Sequence, residues 1–218
     1  MTTEMNEKSP EEQVHAPLGL NGHVFLVEDD DAMRESMRRV LVSQGCRVYP
    51  FAEPVSFLEL VTPVSPAVVL LDMRMPSLSG VEVQTRLRDM GMNMSVIFVS
   101  GESTVQQAVI AMENGALQFL VKPVSRSDLL KAVAQGLEAS HKRTEERSKL
   151  HAKHGRLARL APREREVLDF LLDGYGNTEI SKMMGISYAT SKQYKSNIMM
   201  KLDVSTMAQL IELMRSEV

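Results

Sequence analysis

Glu28, Asp29 and Asp72 stand directly after short apolar runs, His23 to Val27 for the first two and Ala67 to Leu71 for the third. Two further runs end on equally reactive residues, Met94 to Val99 on Ser100 and Leu117 to Val121 on Lys122-Pro123. If these runs are parallel strands, the residues share one edge, because ligands of an open parallel α/β sheet bind outside the carboxyl ends of its strands. Three carboxylates brought together repel one another at low effective dielectric unless a hard cation lies among them, and Mg²⁺ prefers such oxygen ligands. Asp72 is the candidate nucleophile. A carboxylate accepts a phosphoryl group as an aspartyl phosphate, with Mg²⁺ and the Lys122 ammonium neutralising the transferring oxygens. Ser100 is placed to hydrogen-bond the new phosphate. Singly, each residue has an ordinary explanation: Glu28 and Asp29 as helix caps, Lys122 as a surface lysine before a turn proline. Their joint placement at four strand ends points to a site.

The elements that must position them follow from hydrophobic periodicity. The five strands expected are His23 to Val27, Cys46 to Tyr49, Ala67 to Leu71, Met94 to Val99 and Leu117 to Val121. Between them Met33, Met37, Val40 and Leu41 fall on one helical face, as do Val83, Leu87 and Met90, and then Val105, Ala108, Val109 and Met112. The unbroken apolar run at Ala67 to Leu71 reads as a strand buried on both faces, which calls for a parallel sheet between helical layers. The fold class expected is α/β, a doubly wound (βα)₅ domain with a five-stranded parallel sheet, followed by a small all-α domain.

Within residues 138–160, His141 to His154 is crowded with charge and reads as a solvated helical linker. Beyond it Pro162 opens a helix carrying Val167, Leu168, Leu171 and Leu172. Asn177 is expected to cap a short helix with Ile180, Met183 and Met184, Gly185 to make the turn, and Ser187 to cap the next helix. On that helix Ile198 and Leu202 point inward while Lys192, Gln193, Lys195 and Ser196 face out, a pattern suited to the major groove; a small helical dimerisation module has the same pattern. The domains expected are a disordered tail at 1–20, an α/β domain at 21–137, the linker at 138–160 and a helix-turn-helix domain at 161–218.

Residues 22–137 resemble the receiver domain of bacterial two-component response regulators over essentially its whole length. The resemblance runs through Val27-Glu28-Asp29-Asp30, Leu71-Asp72-Met73-Arg74-Met75-Pro76 with Ser79-Gly80, Val99-Ser100-Gly101, Gly115-Ala116 and Phe119-Leu120-Val121-Lys122-Pro123. It implies that a sensor histidine kinase phosphorylates Asp72, and that Asp29, Asp72 and the backbone carbonyl of Arg74 ligate Mg²⁺ with Glu28 acting nearby. It also implies that Ser100 and Phe119 are the switch pair and that Lys122-Pro123 is cis. Glu28 and Phe119 stand where Asp and Tyr are frequent.

Residues 160–215 resemble the LuxR-type helix-turn-helix of the NarL and FixJ branches, the FixJ branch more closely. This match rests on Pro162 to Leu168, Gly174, Asn177-Thr178-Glu179-Ile180, Met184-Gly185-Ile186-Ser187, Thr190, Ser196 to Met199 and Lys201-Leu202. The contact set it implies for double-stranded DNA is Ser187, Thr190, Lys192, Gln193, Lys195, Ser196 and Lys201, and the helix around Met207 to Met214 is implied to pair two subunits. Ala161 stands for the usual Thr or Ser cap, Ser191 for valine, and Gln193-Tyr194 for a valine-histidine pair. The function implied is a transcription factor in which phosphorylation drives homodimerisation and DNA binding, with RNA polymerase as a further partner.

Composition agrees. Of 218 residues 44% are hydrophobic and 24% charged, enough for two modest cores and unlike a disordered chain. The lone Cys46 forms no internal disulfide, so a reducing, cytoplasmic setting is expected. Residues 1–20 are acidic and polar, unlike a signal peptide, and no apolar run reaches the roughly 18 residues of a membrane span. Residues 1–137 carry 11 basic against 17 acidic side chains and residues 138–218 carry 14 against 11. The basic end is where a polyanion is favoured. Two rival readings remain at this point. One is an aspartate-nucleophile phosphatase, which needs a second carboxylate two residues after Asp72, where Arg74 stands; the chain is expected not to be an enzyme. The other is a DNA-binding regulator whose receiver no longer takes phosphate.

Overall fold

The computed structural model describes residues 19–101 and 105–215; all but the last two residues of the expected tail, and residues 216–218 of the C-terminal domain, lie outside them. By internal contacts the chain forms two units, dividing between Thr144 and Glu145.

The first unit alternates β1 (His23–Val27), α1 (Asp31–Val42), β2 (Arg47–Phe51), α2 (Pro54–Leu60), β3 (Ala67–Asp72), α3 (Gly80–Asp89), β4 (Ser95–Ser100), α4 (Val105–Glu113) and β5 (Gln118–Val121). The five strands pair parallel in the order β2-β1-β3-β4-β5. Side chains alternate between the two faces of a strand. Val24 and Leu26 therefore pack with Val68, Leu70, Ile97 and Val99 against Met37 and Leu41 of α1 and, from α5 (Arg126–Ala158), Leu129, Leu130 and Val133. Phe25 and Val27 pack on the opposite face with Val69, Leu71 and Phe98 against Phe57, Val83, Leu87 and Ala111 of α2, α3 and α4. The doubly wound (βα)₅ architecture is thus the one expected. β2 runs two residues past its expected end and includes Pro50, which an edge strand tolerates because one side of its backbone is unpaired.

Two helices depart from the sequence reading. In α4 the apolar spacing was expected to bury Val109 and Met112, yet both are about half exposed and the fully buried residue is the small Ala111. The helix is apolar on more than one face, so spacing alone does not choose the buried one. The other is α5, a single 33-residue helix in which the expected linker has packed halves. In the first unit the Ser140 hydroxyl accepts from Ala67 N at 3.0 Å and Arg143 donates to Ser95 Oγ at 2.6 Å. In the second, Lys153 is buried and donates to the Met214 carbonyl at 3.0 Å, while Leu157 packs on the core. These are mostly polar contacts, so a thinning apolar stripe does not reveal them.

The second unit adds α6 (Pro162–Leu172), α7 (Asn177–Met184), α8 (Tyr188–Leu202) and α9 (Met207–Arg215) around Val167, Leu168, Leu171, Ile180, Ile198, Leu202 and Leu210. Gly185 ends α7 at φ 64°, a left-handed turn that glycine enters without a Cβ penalty. Ser187 caps α8 by accepting from Thr190 N at 3.0 Å. The cap of α7 is Gly176 and not Asn177: the Glu179 carboxylate reaches back to Gly176 N at 2.8 Å, fixing the start one residue earlier.

Candidate functional site

The strand order reverses between β1 and β3, and the crevice at a reversal of this kind is where open α/β sheets hold ligands. Glu28 and Asp29 follow β1 and Asp72 ends β3, so one carboxylate oxygen from each lies within 4.8 Å of the other two. Lys122, just past β5, sends Nζ to Asp72 Oδ2 at 2.9 Å and to Glu28 Oε1 at 2.8 Å. Glu28 Oε2 is equally close to Nζ, but it is buried and oriented to accept no hydrogen bond. Asp72 Oδ1 accepts from Arg74 N at 3.1 Å. Ser100 is buried at the end of β4, where its carbonyl accepts from Lys122 N at 2.8 Å. Phe119 lies half-buried on β5, its ring stacked on Phe98 with centroids 6.3 Å apart. The Lys122-Pro123 peptide is cis.

Two further residues support the site, of which Arg34 was not singled out from sequence and Gly80 was named only as part of a motif. Arg34, one turn into α1, donates to the Glu28 carbonyl at 2.7 Å and pairs with Asp31, holding the backbone that carries Glu28 and Asp29. An arginine three residues after an aspartate in a first turn was the available signal. A Cβ on Gly80 would come 2.5 Å from the Asp72 carbonyl and 2.7 Å from Phe98, so only glycine lets α3 start this close to the acceptor strand.

Burial raises the Glu28 carboxyl, Lys122 opposes that, the charge of Asp72 adds to it, and the net result is about 7. Lys122 is itself raised: burial works against its charge, but Glu28 and Asp72 outweigh the loss. Because the folded value for Glu28 lies above the unfolded one, its contribution to stability is full below about pH 4.5 and is lost as pH rises through about 7. A divalent cation competes with that proton. Mg²⁺ affinity is therefore expected to climb roughly fivefold from pH 6, where Glu28 is largely protonated, to pH 7, and to level off above about pH 8 at about ten times its pH 6 value. Calorimetry in buffers of different ionisation enthalpy should show a proton released at pH 6; affinity and release that stay flat with pH would contradict this protonation of Glu28.

In the second unit Ser187, Thr190, Lys192, Gln193 and Ser196 are exposed along α8 and Lys195 is half-buried. Lys201 differs from the rest of the expected contact set. Its ammonium donates to Glu164 Oε2 at 2.6 Å, joining α8 to a carboxylate that is 3% exposed and that also accepts from Ala161 N at 2.8 Å. Glu164 thereby takes the free N–H at the start of α6, although Ala161 has no side-chain oxygen to cap it. Ser191 is fully buried on α8 and its hydroxyl has no hydrogen-bond partner. An orphaned buried hydroxyl costs about 1–3 kcal/mol, and alanine is also the better helix former. Ser191→Ala is expected to stabilise this unit by roughly 1 kcal/mol after the small void is counted. A lower urea midpoint for the variant would contradict that.

The first unit is by these features a receiver-type α/β domain with an acidic pocket, and the second a compact helix-turn-helix domain. The family model of the response regulator receiver domain matches residues 24–134, and that of bacterial regulatory proteins of the luxR family matches residues 158–214. Response regulator protein TmoT of Ectopseudomonas mendocina is 34% identical over 188 residues, 86% of either chain. Transcriptional regulatory protein FixJ of Azorhizobium caulinodans is 34% identical over 190 residues, 87% of this chain and 90% of the relative. Among solved structures, response regulator StyR aligns with a TM-score of 0.84 at 34% identity, over 90% of this chain and 99% of that one. This chain belongs to the two-component response regulators with a LuxR-type DNA-binding domain, the FixJ-like group, and is a transcription regulator. Among the described residues no helix is long and apolar enough to cross a membrane.

Proposed function

We propose that a sensor histidine kinase transfers a phosphoryl group to Asp72, and that this switches homodimerisation and sequence-specific DNA binding in the cytoplasm. The observation that carries the reading is the placement of Lys122 between Glu28 and Asp72 beside a buried Glu28 oxygen that accepts no hydrogen bond. Three carboxylates whose oxygens lie within 4.8 Å of one another fit a divalent oxygen-seeking cation, and Glu28, Asp29, Asp72 and the Arg74 carbonyl would hold Mg²⁺. When bound, the ion supplies positive charge to the transferring oxygens. An Asp72 carboxylate oxygen attacks phosphorus as the bond to the donor breaks, and Lys122 follows the new charge from carboxylate to phosphate. The added phosphate, roughly −1.5 to −2 charges, draws the Ser100 hydroxyl, and Phe119 turns into the space this leaves.

That movement lies next to an apolar surface. Val109 and Met112 of α4, with Leu117 and Val121 around β5, are all exposed, and repacking them pairs two receivers. The coupling needed is about 1–3 kcal/mol, or 5- to 150-fold in affinity. Light scattering on the full chain should show its mass doubling after treatment with Mg²⁺ and acetyl phosphate, with tighter DNA binding, while Met112→Glu takes up phosphate but stays monomeric. Unchanged mass and unchanged DNA affinity in the phosphorylated parent would refute the switch.

A further inference from the structure

Along α8 the helical period puts Ala189, Lys192, Gln193, Ser196 and Met200 on one face, and all of them are exposed. Gln193 is the longest uncharged hydrogen-bonding side chain on that face, with the short Ala189 and Ser196 a turn to either side. Tyr194, its neighbour in sequence, turns inward and packs on the core. Gln193 is also held in place: its Nε2 donates to Asn197 Oδ1 at 2.9 Å, one turn further along. That contact uses one amide proton and leaves one N–H and the Oε1 carbonyl side by side. A donor beside an acceptor complements the major-groove edge of adenine, which offers N7 as acceptor and N6–H as donor. Guanine offers two acceptors there, cytosine one donor and thymine one acceptor, so none of them satisfies both groups.

We infer that Gln193, oriented by Asn197, reads the adenine of an A·T pair and so fixes one position of the operator half-site. The inference rests on α8 being the helix that enters the major groove. Lys192 and Lys195 then contact phosphates, which sets affinity and salt dependence but not sequence.

Selection from random duplex DNA with the full chain, with and without acetyl phosphate and Mg²⁺, tests this. The parent should enrich a half-site with an A·T pair whose preference over other pairs is roughly 5- to 150-fold. Gln193→Ala should lose that preference at this position alone, and Gln193→Arg should move it toward G·C. Asn197→Ala should weaken the same preference, with the remaining positions and the salt dependence unchanged, which a merely structural role would not do. A selected operator whose every position is indifferent to Gln193→Ala, or whose affected pair is not A·T, overturns the inference and leaves the groove-helix reading standing. A parent that enriches no sequence under either condition overturns both.

Discussion

With Lys122 replaced by alanine, phosphoryl uptake on Asp72 at saturating Mg²⁺ is expected to slow by about 10²–10³, the usual loss when one preorganised donor is removed from developing charge. The structure joins the Lys122 ammonium to both buried carboxylates, at 2.8 and 2.9 Å. Without it Glu28 and Asp72 repel each other across a poorly solvated gap. Glu28, already pushed up to about 7, is then driven higher still and holds its proton more firmly against a cation. Mg²⁺ affinity should fall together with the rate. Following intact mass against time in acetyl phosphate separates the two effects, since raising Mg²⁺ restores occupancy but not the missing ammonium. Uptake at the parental rate in a folded Lys122→Ala chain would show that this lysine plays no part in the transfer.

The second large effect is one of stability. Removing one partner of a buried ion pair typically costs about 3–5 kcal/mol. Glu164→Ala removes the carboxylate that holds both Lys201 and the Ala161 N–H. Lys201 keeps about a third of its side-chain exposure and can turn to water, so the low end, roughly 3 kcal/mol, is expected. For a unit of this size that corresponds to a fall in Tm of roughly 12–24 °C. Since α6 and α8 are joined through this pair, DNA binding should be lost at temperatures where the first unit is still folded. Lys201→Met is the informative partner variant. It leaves Glu164 buried without its cation and should be destabilised as well, whereas a surface lysine used only for DNA would lose affinity and leave Tm unchanged.

The pocket was legible in the sequence because its chemistry lies at strand ends. Once apolar runs are read as parallel strands, Glu28, Asp29, Asp72, Ser100 and Lys122 are forced to one edge without any knowledge of side-chain geometry. The same logic missed Arg34, whose role depends on reaching a backbone carbonyl. The LuxR-type resemblance implies Lys201 as a DNA contact, and the sequence does not show that its ammonium is bonded to a buried glutamate 37 residues earlier, because a lysine on a helix looks the same in either setting. α4 shows a limit of a different kind. Hydrophobic spacing identifies a helix but not which apolar face is buried, and here the face left outside is the one the proposed dimer uses. In α5 the packed halves are held by Ser140, Arg143 and Lys153, polar residues that a hydrophobic pattern passes over.

Intact mass after incubation with Mg²⁺ and a phosphoryl donor, acetyl phosphate or a charged sensor kinase, tests the central claim most directly. The parent chain is expected to gain one phosphoryl group and Asp72→Ala none, with both equally folded. Equal uptake by Asp72→Ala, or none by the parent with either donor, would contradict Asp72 as the acceptor.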